Sequence, residues 1–136
     1  LMALRRPWSA LYFLVASATS AVLVQVLKVT FGRARPSDIL VHVDPGSFPS
    51  GHVANAATVA VAIAFIVGRA WVWVAGAVYV LVMALSRTYL GAHWVSDTVG
   101  GALLGAAVSV LLFAAFAPRL GDDSWRRASS PDSVEP

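Results

Sequence analysis

Three short clusters hold the side chains of this sequence whose types and spacing could do chemistry. The clusters are Lys28 followed after six residues by Arg35-Pro36, the run Pro49-Ser50-Gly51-His52, and Ser86-Arg87 followed by His93 and Asp97. Each lies beside a long apolar stretch, where charged side chains are expensive to keep unless they have a function. Cations and histidines gathered in this way suit a phosphate group and its transfer.

The second cluster predicts a helix N-terminus that binds an anion. Ser50 is a favourable N-cap residue, and Gly51 beside it leaves backbone N–H groups open at the start of a helix. Unpaired N–H donors and the positive end of the helix dipole favour a bound phosphate. His52 would then lie in the first turn, placed to lend a proton. An ordinary capped helix with an interfacial histidine has the same local sequence.

The third cluster indicates a nucleophile with an orienting carboxylate. His93 and Asp97 are four residues apart, so they share a face if a helix has already begun. The carboxylate of Asp97 could accept a hydrogen bond from Nδ1–H of His93, which leaves a free lone pair on Nε2. A His–Asp pair that only satisfies two polar groups at the start of a helix is the equally simple alternative.

Three cationic side chains, Lys28, Arg35 and Arg87, belong to the same clusters. The planar guanidinium of arginine suits phosphate oxygens, which it binds through two parallel hydrogen bonds. Singly, each cation would equally suit a lipid head group or a side chain that reaches to the membrane surface. Arg33 is expected to contact lipid or solvent, and His42 is expected to be an ordinary loop residue.

Long stretches without charge predict the helices that position these clusters. Of the 136 residues, 58% are hydrophobic and 12% are charged, against about 25% charged in soluble domains. Windows without any charged residue cover 7–27, 53–68, 70–86 and 98–118. About 20 helical residues cross a hydrocarbon core. We therefore predict an all-α integral membrane bundle with about four transmembrane helices, over 8–29, 51–67, 70–86 and 96–117.

The composition changes abruptly after Pro118. Residues 1–118 are expected to form one membrane domain, and the charged tail 119–136 is expected to be disordered. Within the last predicted helix, the spacing of Gly101 and Gly105 favours close packing against another helix. The absence of cysteine excludes disulfides, a thiolate nucleophile and sulfur-based metal sites. Nucleic acid is not an expected partner, because the basic residues are scattered in short loops.

The distribution of Lys and Arg predicts the orientation in the bilayer. With four spans, six of these residues lie on the face that holds both ends of the chain, and four lie on the face that holds the clusters. Cytoplasmic loops carry an excess of Lys and Arg. We therefore expect a plasma membrane protein with cytoplasmic termini and an extracytoplasmic site.

Taken together, the three clusters resemble the signature of the type 2 phosphatidic acid phosphatase (PAP2) family, which includes lipid phosphate phosphatases and shares its site with vanadium haloperoxidases. Every fixed position of the signature is present, with the spacing of the family inside each part. Membrane members usually have six spans, with the lysine part at the end of the third, whereas one span precedes Lys28 here. This chain is expected either to lack two N-terminal helices or to be a compact variant.

The resemblance also implies a role for each residue. His93 would be the nucleophile that forms a phosphohistidine intermediate, Asp97 would orient it, and His52 would be the general acid and base. The phosphoryl oxygens would be held by Lys28, Arg35, Ser50, Gly51 and Arg87. The resemblance implies neither a metal nor another cofactor.

The predicted membrane helices and the predicted site together indicate a function. The chain is predicted to be an integral membrane phosphatase that hydrolyses a lipid phosphomonoester or diphosphate. Candidate substrates are a polyprenyl diphosphate, phosphatidate and phosphatidylglycerophosphate. Two alternatives remain at this point: a vanadate-dependent haloperoxidase-like enzyme, and a non-enzymatic membrane scaffold or transport subunit.

Overall fold

Four helices make up the regular structure in the computed structural model, which describes residues 6–37, 40 and 46–128, with side chains through 121. The expectation for His42 lies outside these residues. The helices are α1 (Pro7–Phe31), α2 (Gly51–Val67), α3 (Ala70–Tyr89) and α4 (Val95–Ala128). The described part of the chain contains no strand. The predicted all-α class is therefore confirmed.

Local sequence explains most helix ends. Pro7 occupies the first helical position of α1, where its missing N–H costs nothing. Both α1 and α2 end at a glycine with positive φ, Gly32 at 51° and Gly68 at 67°, a conformation that glycine adopts without steric cost. The bounds of α2 are those predicted. Helix α3 continues three residues beyond the predicted 86, so that Arg87 lies in its last turn.

The predicted end of the fourth helix at 117 is wrong, because α4 continues through Pro118 to Ala128. Proline removes one backbone hydrogen bond inside a helix without forbidding continuation. Packing supports the helix on the far side of it: the Arg119 guanidinium lies 4.6 Å from the centre of the Trp8 ring, and Leu120 packs on the core around Tyr12. Residues 119–128 of the predicted tail are thus helical, and 129–136 lie outside the described residues.

Helices α1, α3 and α4 are long and apolar enough to cross a membrane, over Pro7–Phe31, Ala70–Tyr89 and Val95–Gly121. Helix α2 is apolar but has 17 residues, or about 26 Å of length. It is also the most buried helix, packed against all three others. Large apolar side chains such as Trp71, Val78 and Leu85 on α3 are exposed on the outside of the bundle. The chain is an integral membrane protein.

Helices α2 and α4 touch through glycine. A Cβ on Gly101 would lie 2.5 Å from the carbonyl oxygen of Ser50, and one on Gly105 would overlap the carbonyl oxygen of Ala54. The backbones approach this closely only because both residues lack a side chain, as the predicted small-residue contact requires. The contact sets the start of α2 beside the start of α4, where the Ser50 N–H donates to the Asp97 carbonyl at 2.9 Å.

Buried hydroxyl groups join α1, α2 and α4 near the middle of the bundle. The Tyr12 hydroxyl donates to the Ser109 carbonyl, and the Ser109 hydroxyl donates to the Thr58 carbonyl, both at 3.0 Å. The Thr58 hydroxyl lies 2.9 Å from that of Ser20. Polar groups away from water need such partners. The network holds the helices that carry the clusters in a common frame.

Candidate active site

All eight predicted site residues meet at one end of the bundle. Helices α1 and α3 end there, and α2 and α4 begin there. The residues come from these four helix ends and from the connectors between them: Lys28, Arg35, Ser50, Gly51, His52, Arg87, His93 and Asp97. Direct contacts or electrostatic interactions link each cluster to the other two. The expectation that the clusters lie on one face is therefore confirmed.

His93 lies in the turn before α4 with only 4% of its surface exposed. Its Nδ1 is 2.8 Å from the carbonyl oxygen of Ser47, and its Nε2 is 3.4 Å from Nη1 of Arg35. A carbonyl only accepts and a guanidinium only donates. The proton of the neutral ring therefore belongs on Nδ1, and the lone pair of Nε2 points toward Arg35.

Burial is the main reason why the pKa of His93 is lowered to about 4, and the positive charge of Arg35 lowers it further. The Ser47 carbonyl and the Asp97 carboxylate act in the opposite direction, and Lys28 adds a smaller lowering effect. The imidazole is neutral at pH 7 as a result. A neutral ring that is protonated on Nδ1 keeps its lone pair on Nε2 and can act as a nucleophile.

Asp97 does not make the predicted hydrogen bond to His93. Its Oδ2 lies 3.7 Å from Nδ1, which is too long for a hydrogen bond. Oδ2 instead accepts the backbone N–H of Trp94 at 2.9 Å, and Oδ1 accepts from Arg33 at 2.7 Å. The Ser47 carbonyl is closer to Nδ1 and takes the place that the sequence analysis assigned to the carboxylate. Asp97 acts on His93 through its charge.

Two buried donors at the site have no hydrogen-bond partner in the described part of the chain. One is the Ser50 hydroxyl, and the other is Nε of Arg87. Ser50 occupies the N-cap position of α2, as predicted, but its side chain makes no capping bond. Leaving a buried donor unpaired costs about 1–3 kcal/mol. A phosphate group supplies acceptors for donors of this kind.

Backbone carbonyl groups direct the two cations of the first cluster. Lys28 Nζ donates to the Gly46 carbonyl at 3.1 Å, and Nη2 of Arg35 donates to the same oxygen at 3.0 Å. Gly46 has a φ of 82°, and a Cβ there would lie 3.2 Å from the Lys28 carbonyl. This position therefore favours glycine on two counts.

His52 lies in the first turn of α2 and is exposed, in contrast to the buried His93. It is within electrostatic range of Arg87, Lys28 and Arg35. The two imidazoles thus belong to one cationic end of the bundle. An arrangement of this kind can bind a phosphate group, attack it with one ring and exchange protons with the other.

Three residues of the site were not predicted from the sequence. Arg33 was expected to contact lipid or solvent and instead forms an ion pair with Asp97. Ser47 and Gly46 were not among the predicted site residues, yet their carbonyl groups accept hydrogen bonds from His93, Lys28 and Arg35. The need of a buried carboxylate for a countercharge is the one signal that could have pointed to Arg33. Backbone carbonyls have no signature in a sequence.

Comparison with known proteins agrees with this geometry. The family model of the PAP2 superfamily matches residues 9–120, which is most of the chain. The chain belongs to the PAP2 superfamily. A crystal structure of a transmembrane PAP2-type phosphatidylglycerolphosphate phosphatase from Bacillus subtilis is similar, with a TM-score of 0.74 and 36% identity over 81% of this chain and 60% of that one. The resemblance drawn from the three clusters is confirmed.

Two curated PAP2-related sequences are also similar to this chain. Phosphatidylglycerophosphatase B of Bacillus subtilis is 36% identical over 79% of this chain and 58% of its own length. Decaprenylphosphoryl-5-phosphoribose phosphatase of Mycobacterium tuberculosis is 39% identical over 79% of this chain and 60% of its own length. This chain thus spans little more than half the length of the relatives that it matches.

Proposed function

We propose that this protein is a membrane phosphatase that hydrolyses a phosphomonoester or diphosphate of a lipid through a phosphohistidine intermediate. The observation that carries the proposal is the environment of His93. Its Nδ1 is tied to the Ser47 carbonyl and its Nε2 faces Arg35. This side of the ring is where the substrate phosphorus must lie, since a guanidinium binds the phosphoryl oxygens.

The binding step uses positive charge and unpaired donors. Lys28, Arg35 and Arg87 would neutralise the phosphoryl group, while the Ser50 hydroxyl and the N–H groups at Gly51 and the start of α2 would bind its oxygens. The buried donors of Ser50 and Arg87 lack partners in the described chain, and the substrate would satisfy them. A site with this much positive charge repels metal cations, so we expect turnover to persist in a chelator.

The chemistry would proceed in two displacements. Nε2 of His93 attacks phosphorus while the bond to the leaving oxygen breaks, and His52 gives that oxygen a proton. The imidazole becomes a phosphorylated cation, which the nearby charge of Asp97 stabilises. His52 then takes a proton from water, the water oxygen attacks phosphorus, and the bond from phosphorus to Nε2 breaks. Free phosphate leaves and both histidines return to their starting states.

An apolar groove next to the site supports a lipid substrate. It lies between α2, α3 and α4 and encloses about 460 Å³. Small side chains line it, among them Ala57, Ala84 and Ala102. It begins at Thr98, beside Asp97, and the exposed Leu81 and Leu103 border it. A hydrocarbon chain attached to a bound phosphate could extend from the site into this groove.

The names of the relatives suggest two head-group classes, a glycerophospholipid and a polyprenyl phosphate. We therefore keep phosphatidylglycerophosphate, phosphatidate and polyprenyl diphosphate as candidate substrates.

We propose that the site lies on the extracytoplasmic face of the plasma membrane. In support, the cations of the proposed outer face, including Arg33, take part in the site, so they do not count as topological signals.

The orientation is tested by accessible cysteines. The chain has no cysteine of its own, so Ser37→Cys and Arg69→Cys introduce one thiol each, at opposite ends of the bundle and at exposed positions. A membrane-impermeant thiol reagent should label the variant at position 37 in intact cells and the variant at position 69 only after lysis. The reverse pattern contradicts the proposed orientation.

The function is tested by phosphate release from a panel of lipid phosphates. The purified protein, in detergent and with a chelator present, should release phosphate from at least one of the candidate substrates. The variant His93→Gln should release none while it remains folded, and Arg69→Ala, far from the site, should keep the wild-type rate. Equal release by His93→Gln, or no release from any substrate by a folded wild-type protein, contradicts the proposal.

A further inference from the structure

The ion pair between Arg33 and Asp97 suggests a role that goes beyond the residues assigned above, and it rests on the proposed function. We propose that Arg33 is a positioning residue, which holds the carboxylate of Asp97 beside His93 without touching the substrate. Arg33 lies outside the set of residues assigned to phosphate binding.

Two contacts fix the guanidinium of Arg33. Its Nη1 is 2.7 Å from Oδ1 of Asp97 and 2.7 Å from the hydroxyl of Ser96. The guanidinium carbon also lies 5.9 Å from the centre of the Trp94 ring, within the range of a cation–π interaction. The same ring donates from Nε1 to the Ala34 carbonyl at 3.1 Å. The connector after α1 is therefore held against the start of α4 at Arg33 and at Ala34.

The two carboxylate oxygens of Asp97 contact different partners. Oδ1 faces Arg33, whereas Oδ2 accepts the Trp94 N–H and lies 3.7 Å from Nδ1 of His93. Within the described residues, the guanidinium of Arg33 contacts Asp97, Ser96 and the Trp94 ring and none of the groups assigned to phosphate. In this part of the chain, Arg33 thus acts on His93 through the carboxylate between them.

Burial makes this countercharge necessary. The side chain of Asp97 is fully buried, whereas that of Arg33 is 41% exposed. A buried carboxylate without a cationic partner either takes up a proton or turns toward water. Arg33 pairs with this carboxylate and fixes it in place, so that a negative charge lies close to the ring when the phosphohistidine becomes positive.

The test compares four variants with the wild type: Arg33→Gln, Arg33→Lys, Ser96→Ala and Asp97→Asn. Arg33→Gln should lower kcat by about 10- to 100-fold, the loss observed when the partner that orients a metal-binding histidine is removed. KM and the inhibition constant of inorganic phosphate should change little. Arg33→Lys keeps the charge and should restore most of the rate. Ser96→Ala removes the other hydrogen bond of Arg33 and should leave kcat near the wild-type value.

A double variant separates positioning from other roles. When Asp97 is already replaced by Asn, the further change Arg33→Gln should cost little additional rate, because both act on the same ring. An additive loss contradicts the proposal. An increase in KM or weaker phosphate inhibition in Arg33→Gln also contradicts it, because Arg33 would then be a substrate ligand. A loss of kcat in Ser96→Ala as large as that in Arg33→Gln contradicts it as well.

Folding and the underlying activity are controlled separately. The melting temperature and the inhibition by inorganic phosphate are measured for each variant. If Arg33→Gln does not fold, Arg33→Lys provides the test. A kcat in Arg33→Lys as low as that of Asp97→Asn then contradicts the proposal. An unchanged kcat in folded Arg33→Gln contradicts this inference alone. A wild-type protein that releases no phosphate contradicts the proposed function instead.

Discussion

The Nδ1 atom of His93 is 2.8 Å from the carbonyl oxygen of Ser47 and 3.7 Å from Oδ2 of Asp97. The backbone carbonyl therefore sets the tautomer and orientation of the ring, while the carboxylate supplies charge at a longer distance. These two tasks are separable by mutation, because a backbone carbonyl survives any substitution at Asp97.

The first prediction concerns Asp97→Asn. The ring keeps its hydrogen bond to Ser47, but the negative charge that stabilises the phosphorylated imidazole is lost. We expect kcat to fall by about 10- to 100-fold, with inhibition by inorganic phosphate little changed. Steady-state kinetics on the purified variant measure both. A loss confined to KM would show that Asp97 serves substrate binding.

The second prediction concerns the protonation of His93. Its pKa is lowered to about 4 by burial and by Arg35, so the ring should stay neutral at pH 5.5. Nuclear magnetic resonance of protein labelled with ¹⁵N-histidine measures this, with His93→Gln identifying the signal. A midpoint near 6.5, the value of a free histidine, contradicts the buried environment of the ring.

The lowered pKa of His93 also predicts that the folded protein becomes less stable as the pH falls. Between pH 6.5 and about 4 the unfolded chain binds a proton at His93 that the folded chain does not bind. The free energy of unfolding should therefore fall as the pH drops through this window. In His93→Gln the fall should be smaller, and an equal fall in both proteins would contradict the lowered pKa.

The third prediction concerns the contact between α2 and α4. Gly101→Ala places a Cβ against the Ser50 carbonyl, which must move the start of one helix away from the other. Overpacking of this kind costs about 1–3 kcal/mol, so the melting temperature and kcat should both fall. Gly121→Ala is the matched control, since it meets open space on the same helix. Equal behaviour of the two variants contradicts the close approach.

The fourth prediction concerns the groove. Ala102→Phe fills part of the space between α2, α3 and α4, so KM for a long-chain lipid phosphate should rise several-fold. Hydrolysis of a small water-soluble phosphomonoester should be unaffected, because the phosphate site is intact. Ala107→Phe, exposed on the same helix and outside the groove lining, is the control. Equal effects on both substrates contradict a lipid chain in the groove.

Much of the site could be predicted because its signals are local. Ser50 and Gly68 mark the ends of α2 in the sequence, and charge-free stretches mark the other helices. The alternation of four predicted spans then placed His52, His93 and the cations on one face. Local patterns of this kind depend on helix geometry alone and do not require the tertiary structure.

The remaining features depend on contacts between distant parts of the chain. Arg33 and Asp97 are 64 residues apart, and only the course of the connector after α1 brings them together. The Ser47 carbonyl competes with Asp97 for Nδ1 through a loop conformation that residue types do not reveal. Helix α4 passes Pro118 because Arg119 and Leu120 pack on α1 and the core, which outweighs one lost hydrogen bond.

The central claim is that Nε2 of His93 becomes covalently bonded to phosphorus in the phosphoenzyme. The most direct test is to label the protein with a ³²P-labelled aryl phosphate and to quench the reaction without acid. An aryl leaving group departs without an acid catalyst, so His52→Gln should accumulate the intermediate rather than prevent it. We predict an alkali-stable, acid-labile label that mass spectrometry locates on His93, stronger in His52→Gln than in the wild type and absent in His93→Gln. A label on another residue, or continued phosphate release by His93→Gln, would contradict the account.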